Sequence, residues 1–316
     1  MADNENHPSV QDFHGRLEVA VRSIISPTAQ GRTENEDNYL IIDAEGKARF
    51  LLNQQETFHQ VEGWSKGQIR LAILDGLGGH SRGREATEKT VTGLLQIPAA
   101  TEISTLTEAL KTLHTRLHRE MHRYGEEPGC TLTMLEILPS GTALLFHVGD
   151  SRLYVIDAEG PGCLTVDHVP ATQFAMLGMI DEEEWLQQVH ERPGSQLSQA
   201  FILGNTLDQQ TVYRDRLNEG LFELHDGNLP AFLKGCGDRR PIALEPDCVY
   251  LLASDGLWHL SRPGDFILRW PEILVQPDKP LPVLLDDLFK ELAATMSQEK
   301  YLKGDNSTAI AIRVLA

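Results

Sequence analysis

Three strand-like segments follow one another with very little chain between them. Thr131–Leu138, Thr142–Val148 and Arg152–Ile156 are rich in apolar and β-branched residues, and only Pro139-Ser140-Gly141 and Gly149-Asp150-Ser151 separate them. Parallel strands need a crossover of about a dozen residues or more, so these short links exclude β-α-β units here. The sequence therefore predicts an antiparallel meander in this region.

Strand and helix patterns occur in groups along the rest of the chain. Further strands are predicted at Leu17–Val21, Tyr39–Ile42, Ile69–Leu74, Val249–Ala253 and Thr308–Val314. Helices are predicted in two pairs, Gly83–Leu95 with Ser104–Tyr124 and Pro263–Val275 with Pro282–Gln298. Because each sheet and each helix must bury an apolar face, this grouping indicates central sheets with helix pairs outside them.

Composition is that of a globular protein with an acidic surface. We expect a mobile tail over residues 1–15. The 316 residues contain no long linker, so we expect one domain over residues 16–316. The net charge of −18 argues against nucleic acid and anionic membranes as partners, because both attract basic surfaces. No apolar run is long enough for a membrane span, the N-terminus has no signal-peptide pattern, and the four cysteines form no Cys-x-x-Cys pair. We therefore expect a cytoplasmic location.

Acidic residues stand at the ends of four predicted strands. Glu36-Asp37 precedes one strand, Asp75-Gly76 and Asp255-Gly256 follow two others, and Asp305 precedes the last. A carboxylate at a strand end is rigidly held yet can project into a cleft, and a following glycine permits close approach of the backbone. Oxygen ligands suit Mg²⁺ and Mn²⁺, although Asp-Gly also marks ordinary turns. Taken together, the positions indicate a metal site built on carboxylates.

The same residues belong to an ordered set of short motifs that resembles the metal-dependent protein phosphatase 2C family, the PPM-type Ser/Thr phosphatases, in its bacterial branch. The motifs are Arg32-x-x-x-Glu36-Asp37, Asp75-Gly76-x-Gly78-Gly79-His80, Gly129-x-Thr131, Gly149-Asp150-Ser151-Arg152, Thr165-x-Asp167-His168, Ser254-Asp255-Gly256-Leu257 and Asp305-Asn306-x-Thr308. The resemblance implies an α+β fold, a four-layer α/β/β/α sandwich of two antiparallel sheets flanked by helix pairs. It also implies a flap or insert at about residues 169–240, here called the flap segment.

The resemblance further implies a site for two Mn²⁺ or Mg²⁺ ions, with a third ion in many members. Asp75 would bridge the two ions, Glu36 and Asp37 would hold metal-bound waters, and Asp150 would help to form the third site. The implied metal ligands are Asp75, the Gly76 carbonyl, Asp255 and Asp305.

The implied reaction is hydrolysis of phosphoserine or phosphothreonine in proteins. A metal-activated water would attack phosphorus in line without a covalent intermediate, and Arg32 would grip the phosphate. The partners would be phosphorylated substrates of a Ser/Thr kinase, and we expect a monomer. Some relatives have a histidine at the position of Leu77, so the proton donor to the leaving group is not identified; His80 is a weak candidate.

The sequence gives less support to other functions. Cysteine phosphatases need Cys-x5-Arg and haloacid-dehalogenase enzymes need Asp-x-Asp, and neither pattern occurs. A non-catalytic module that binds phosphoproteins in a regulatory role stays an alternative. His114, His118 and His122 recur on one helical face, where we expect a solvated flank rather than a zinc site.

Overall fold

The protein is described by a computed structural model that covers residues 10–12, 16–28, 32–77, 82–122, 127–192, 194, 196–208, 217–299 and 304–315. Its strands, in chain order, are β1 (Val10–Asp12), β2 (Leu17–Ile24), β3 (Asn38–Ile42), β4 (Lys47–Leu52), β5 (Gln55–Gln60), β6 (Ile69–Leu74), β7 (Gly76–Leu77), β8 (Gly129–Cys130), β9 (Leu132–Ile137), β10 (Thr142–Val148), β11 (Arg152–Ile156), β12 (Pro161–Cys163), β13 (Gln199–Ala200), β14 (Gly204–Asn205), β15 (Arg239–Ala243), β16 (Val249–Ala253) and β17 (Ser307–Val314). Its α-helices are α1 (Arg82–Leu94), α2 (Ile103–Met121), α3 (Pro170–Met176), α4 (Glu182–Leu186), α5 (Pro263–Ile267), α6 (Trp270–Leu274) and α7 (Leu281–Ser297).

The long strands form two antiparallel sheets. One has six strands in the order β1-β2-β17-β16-β11-β12, and the other has seven in the order β15-β10-β9-β6-β3-β4-β5. The predicted hairpin of β9 and β10 is present, with Val148 opposite Leu132. The prediction of one continuous meander is wrong for β11, which pairs with β16 in the other sheet. The link Gly149-Asp150-Ser151 carries the chain across, because Gly149 adopts a φ of +111° that turns the strand out of its sheet.

Alternate residues of the central strands face two different cores. On β6, Ile69, Leu71 and Ile73 point into a cluster between the two sheets, whereas Ala72 and Leu74 face the helices. Helices α1 and α2 cover the seven-stranded sheet, and α5, α6 and α7 cover the six-stranded one. This arrangement is the predicted four-layer sandwich, and strands buried on both faces account for their unbroken apolar sequences. No helix among these described residues is long and apolar enough to cross a lipid bilayer.

The predicted helix Pro263–Val275 is two short helices, α5 and α6. Pro271 has no N–H to donate to the Ile267 carbonyl. The α-helix is therefore interrupted at Leu268 and Arg269 before α6 begins.

The sequence predicted that the face of α2 with His114, His118 and His122 is a solvated flank. That prediction is wrong for His114. His114 is buried, its Nε2 contacts the Glu219 carbonyl at 2.7 Å, and its Nδ1 accepts the Ile202 N–H at 2.9 Å. Both partners come from the flap segment, so the sequence pattern of α2 alone could not predict this contact. His114 thus fixes part of the flap segment to the helical layer.

The domain boundaries predicted from sequence stay predictions. Within the expected tail over residues 1–15 the structure describes only Val10–Asp12, which pairs with β2 at the edge of the six-stranded sheet. The described part of the flap segment contains α3, α4 and a π-helical turn at Gln187–Glu191, packed around Trp185, Val189 and Leu224.

A buried ion pair joins the seven-stranded sheet to the end of α1. Arg70 Nε lies 2.6 Å from Glu136 Oε2, and neither side chain is exposed. Arg70 Nη1 also donates to the carbonyl of Leu94, the last residue of α1, at 2.7 Å and to the carbonyl of Ile97, just beyond the helix, at 2.9 Å. Gln68 donates to the other Glu136 oxygen at 2.9 Å, so the buried charges are fully hydrogen-bonded.

We expect Glu136→Leu to lower the free energy of unfolding by about 3–5 kcal/mol, because Arg70 would become an uncompensated buried charge. The measurement is urea unfolding followed by circular dichroism. The matched control is Glu108→Leu, which breaks the solvent-exposed pair with Lys111 and should cost about 1 kcal/mol or less. Equal losses in the two variants would contradict the assignment.

Candidate active site

The predicted acidic residues converge where the two sheets meet. Asp37 precedes β3 and Asp75 follows β6 at one end of the seven-stranded sheet, where Asn38 pairs with Leu74. Asp255 follows β16 and Asp305 precedes β17 at one end of the six-stranded sheet. Asp150 lies in the link that joins the sheets. We call these five residues the acidic cluster.

Burial and mutual repulsion raise the pKa values of the acidic cluster. Burial raises the pKa of Asp37 to about 7, with added repulsion from Asp255 and Asp305. Burial also raises the pKa of Asp75 well above its usual value, and the charges of Asp37, Asp255 and Asp150 add to it. The pKa values of Asp150 and Asp255 are raised by burial as well. Asp75 and Asp255 also interact directly, which adds to the rise in the pKa of Asp75 and opposes the rise in that of Asp255.

The two oxygens of Asp37 have different surroundings. Ser254 Oγ donates to Asp37 Oδ2 at 2.7 Å, and the Thr308 N–H donates to Ser254 Oγ at 2.9 Å. Asp37 Oδ1 is buried without a hydrogen-bond partner among the described residues. A buried carboxylate oxygen without a donor is costly unless it is protonated or meets a cation.

Arg32 lies against the acidic cluster and is about half exposed. Its Nε donates to Asp305 Oδ1 at 2.8 Å, and its Nη1 donates to Glu36 Oε2 at 2.9 Å. Burial lowers the pKa of Arg32, but the hydrogen bond to Asp305 and the nearby carboxylates raise it above the usual value. The predicted phosphate-binding residue is therefore adjacent to the predicted metal ligands and, in this structure, neutralises two of the acidic side chains.

The donor chemistry of the cluster fits a hard divalent cation. Its side-chain donors are all carboxylate oxygens, and Asp37 Oδ1 has no competing partner. As the side chains stand, no group of three or more His, Cys, Asp or Glu within the described ranges is spaced to hold a metal ion. Asp305 is instead paired with Arg32, whose Nε lies 2.8 Å from its Oδ1.

Two glycines allow the backbone to approach the cluster. A Cβ on Gly256, next to Asp255, would overlap the carbonyl oxygen of Asn306. A Cβ on Gly76, next to Asp75, would lie 2.7 Å from the Glu36 carbonyl oxygen. Both positions bring chain segments distant in sequence closer together than any side chain would permit. The Gly78, Gly79 and His80 positions of the same motif lie outside the described residues.

Three polar residues that are not themselves predicted ligands hold the backbone beside the predicted ligands in place. Asn306 Oδ1 accepts the Glu36 N–H at 2.9 Å, and its Nδ2 donates to the carbonyls of Ile25 and Glu34. Thr131 Oγ1 accepts the Asp75 N–H at 2.9 Å. The sequence motifs contained both residues but assigned them no role, because their partners lie far away along the chain.

His168 is the third such residue, and it clamps the turn that carries Asp150. Its N–H donates to the Gly149 carbonyl at 2.8 Å, and its Nδ1 accepts the Gly149 N–H at 3.1 Å. The Gln199 amide also donates to Nδ1 at 2.9 Å, so the proton resides on Nε2, which lies 3.3 Å from Asp238 Oδ2. The flap segment thereby supports the position of Asp150.

Sequence comparisons relate part of the chain to known bacterial phosphatases. No protein-family model matches it. It is 31% identical over 140 residues to protein phosphatase PhpP of Streptococcus pneumoniae, covering 42% of this chain and 56% of that protein. It is 25% identical over 154 residues to serine/threonine protein phosphatase PstP of Mycobacterium tuberculosis, covering 47% and 29%. The chain spans about half the length, or less, of these relatives.

Structural comparisons extend over nearly the whole chain. Serine/threonine phosphatase Stp1 of Staphylococcus aureus superposes with a TM-score of 0.64 at 18% identity, covering 98% of this chain and 99% of that one. The Streptococcus agalactiae serine/threonine phosphatase gives 0.62 at 21% identity, covering 94% and 99%. The chain therefore has the fold of these bacterial serine/threonine phosphatases, and part of it is similar in sequence to bacterial protein phosphatases. The PstP catalytic domain, described in complex with 2 manganese ions, gives 0.57 at 20% identity, covering 95% and 99%.

In the presence of a chelator, we expect the free energy of unfolding to fall as the pH rises from about 5 to 8. Asp37 keeps its proton up to about pH 7 in the folded protein, whereas an unfolded aspartate loses it near about 4. Between these values the folded state binds more protons, so stability is lost as the pH rises through the folded pKa. Urea unfolding across this pH range measures the slope.

Asp37→Asn should make that slope less steep, because the amide does not titrate, while the raised pKa values of Asp75, Asp150 and Asp255 leave part of it in place. Asp278→Asn at an exposed position is the control and should leave the slope as in the wild type. A slope that Asp37→Asn leaves unchanged would show that Asp37 is ionised in the folded protein.

Proposed function

We propose that this protein is a metal-dependent Ser/Thr protein phosphatase. The observation that carries the proposal is the convergence of five carboxylates at the junction of the sheets, next to one half-exposed arginine. Phosphoryl transfer needs cations and positioned donors around the phosphate oxygens, and little else from the protein. Kinship with bacterial phosphatases and the shared fold support the same conclusion.

The metal-binding residues of the proposal are those that the motifs indicated. Asp75, the Gly76 carbonyl, Asp255 and Asp305 would hold two Mn²⁺ or Mg²⁺ ions, with Glu36 and Asp37 on bound waters and Asp150 at a third position. When bound, such ions lower the pKa of a water and offset the charge of the phosphoryl group. The raised pKa values of the cluster support the proposal, because ionised carboxylates repel one another in a buried space and cations would offset that repulsion.

The protein contributes charged side chains to the proposed site and holds them in position. To hold cations, Asp75 and Asp255 would have to be ionised, and Asp305 would have to release Arg32, whose hydrogen bond it accepts at 2.8 Å. Arg32 would then be free to present its planar fork to two phosphate oxygens beside the cluster. Thr131 and Asn306 hold the Asp75 and Glu36 backbones in place. The substrates of the proposal are phosphorylated Ser/Thr proteins.

We expect release of phosphate from a phosphothreonine peptide that depends on added Mn²⁺ or Mg²⁺ and stops with excess chelator. Asp75→Asn should lower kcat by several orders of magnitude, because the shared ligand of both ions is lost. Phosphate release measured with a colorimetric assay tests both statements, and Asp278→Asn controls for the loss of one negative charge. Full turnover in chelator would refute metal dependence, and phosphopeptide binding without turnover would favour the regulatory alternative.

Arg32→Lys should raise KM and lower kcat while Mn²⁺ affinity stays close to that of the wild type. Lysine keeps the positive charge but cannot donate two parallel hydrogen bonds to phosphate. Steady-state kinetics and Mn²⁺ titration by electron paramagnetic resonance separate the two effects. Arg262→Lys, at a solvent-exposed arginine, is the matched control. An unchanged kcat/KM would place Arg32 outside the phosphate site.

A further inference from the structure

A cleft of about 260 Å³ adjoins the acidic cluster. It lies between the flap segment and the turn that follows β16. Its lining includes Asp150, Asp255, Trp258, His259, Gln188 and Arg192. Pockets for drug-sized molecules measure roughly 300–1,000 Å³, so this space suits one or two amino-acid side chains.

One wall of the cleft is rigidly built around a buried arginine. Arg152 donates to both oxygens of Asp167, at 2.9 Å from Nε and 2.8 Å from Nη2. The same Nη2 donates to the Val189 carbonyl at 2.7 Å, and the guanidinium lies 4.5 Å from the centre of the Trp258 ring. Three separate parts of the chain are therefore locked together before any ligand binds.

The flap side of the cleft contains a π-helical turn, Gln187–Glu191. Turns of this kind insert a residue into a helix and are found frequently at functional sites. Here the turn contains Val189, whose carbonyl meets Arg152, and it is followed directly by Arg192. Gln188 and Arg192 are both exposed and both line the cleft.

The charges around the cleft leave one cation without a counterion. Asp167 is neutralised by Arg152, and Asp150 and Asp255 belong to the proposed cation site. Arg192 forms no ion pair with a carboxylate in the described part of the chain. In a protein with a net charge of −18, an uncompensated arginine beside the acidic cluster favours an anionic group on the ligand.

We propose that this cleft binds the substrate residues next to the phosphorylated one, and that Arg192 selects an acidic side chain there. The proposal rests on the proposed phosphatase function, since the acidic cluster supplies the adjoining phosphate site. The apolar wall of Val169, Ala171 and Trp258 contacts the aliphatic part of that side chain, and the Arg192 guanidinium donates hydrogen bonds to its carboxylate.

The test compares phosphothreonine peptides that are identical except for Glu, Ala or Arg at one of the three positions on either side of the phosphothreonine. At one or more positions, we expect the wild type to have a kcat/KM about fivefold higher with Glu than with Arg, mainly because KM is lower. This preference corresponds to the free energy of an exposed ion pair. In Arg192→Glu this preference should reverse in favour of Arg, and in Arg192→Gln it should disappear. Arg262→Glu, which makes the same charge change at an exposed site, should keep the wild-type ratio.

Binding of the same peptides, measured by fluorescence anisotropy, separates this proposal from the phosphatase function. An active enzyme whose Glu-to-Arg ratio is the same in the wild type and Arg192→Glu would overturn the cleft proposal and leave the phosphatase function intact. A protein without turnover would overturn the phosphatase function, and the ratio of dissociation constants would still decide the role of Arg192.

Discussion

The electrostatic repulsion among the buried carboxylates at the junction of the two sheets is the constraint on which the rest of the structure depends. Asp37, Asp75, Asp150 and Asp255 all have raised pKa values, because burial and neighbouring charges penalise their ionised forms. A sandwich with apolar cores on both faces of each sheet supplies the free energy that holds them together. Arg32 relieves part of this repulsion at Asp305, and the divalent cations of the proposed function would relieve it through the same carboxylate oxygens.

This junction arises because the chain passes from the seven-stranded sheet to the six-stranded sheet at Asp150. Had β11 continued the meander of β9 and β10, the link would have been an ordinary hairpin at the edge of one sheet. Because β11 joins β16 instead, the link lies between the ends of both sheets, where Asp75 and Asp255 also end. The positive φ of Gly149 makes the crossing possible, and a Cβ there would clash with Thr131, which supports Asp75.

Local patterns in the sequence predicted the layers of the fold and four members of the acidic cluster, because strand alternation and strand-end carboxylates are determined by near neighbours. The fifth member, Asp150, was predicted only from the resemblance to a family. The change of sheet at β11 and the burial of His114 depend on partners more than eighty residues away, Ala253 and Ile202. Periodicity contains no information about such partners. The motifs also marked Thr131 and Asn306 correctly, yet only the hydrogen bonds to Asp75 and Glu36 reveal what these residues do.

The flap segment contributes to the proposed recognition cleft and to the acidic cluster at the same time. Its π-helical turn provides Val189 for the cleft wall, whereas Gln199 holds His168 against the turn of Asp150. The Phe222 N–H in turn donates to Gln199 Oε1 at 2.6 Å, so the later part of the segment supports the earlier one. A substrate residue in the cleft and the carboxylate of Asp150 therefore share one packed support, and the segment is not a detachable insertion. For that reason selectivity at the cleft can be altered cleanly only through side chains that point into it, such as Arg192, and not by shortening the loops behind it.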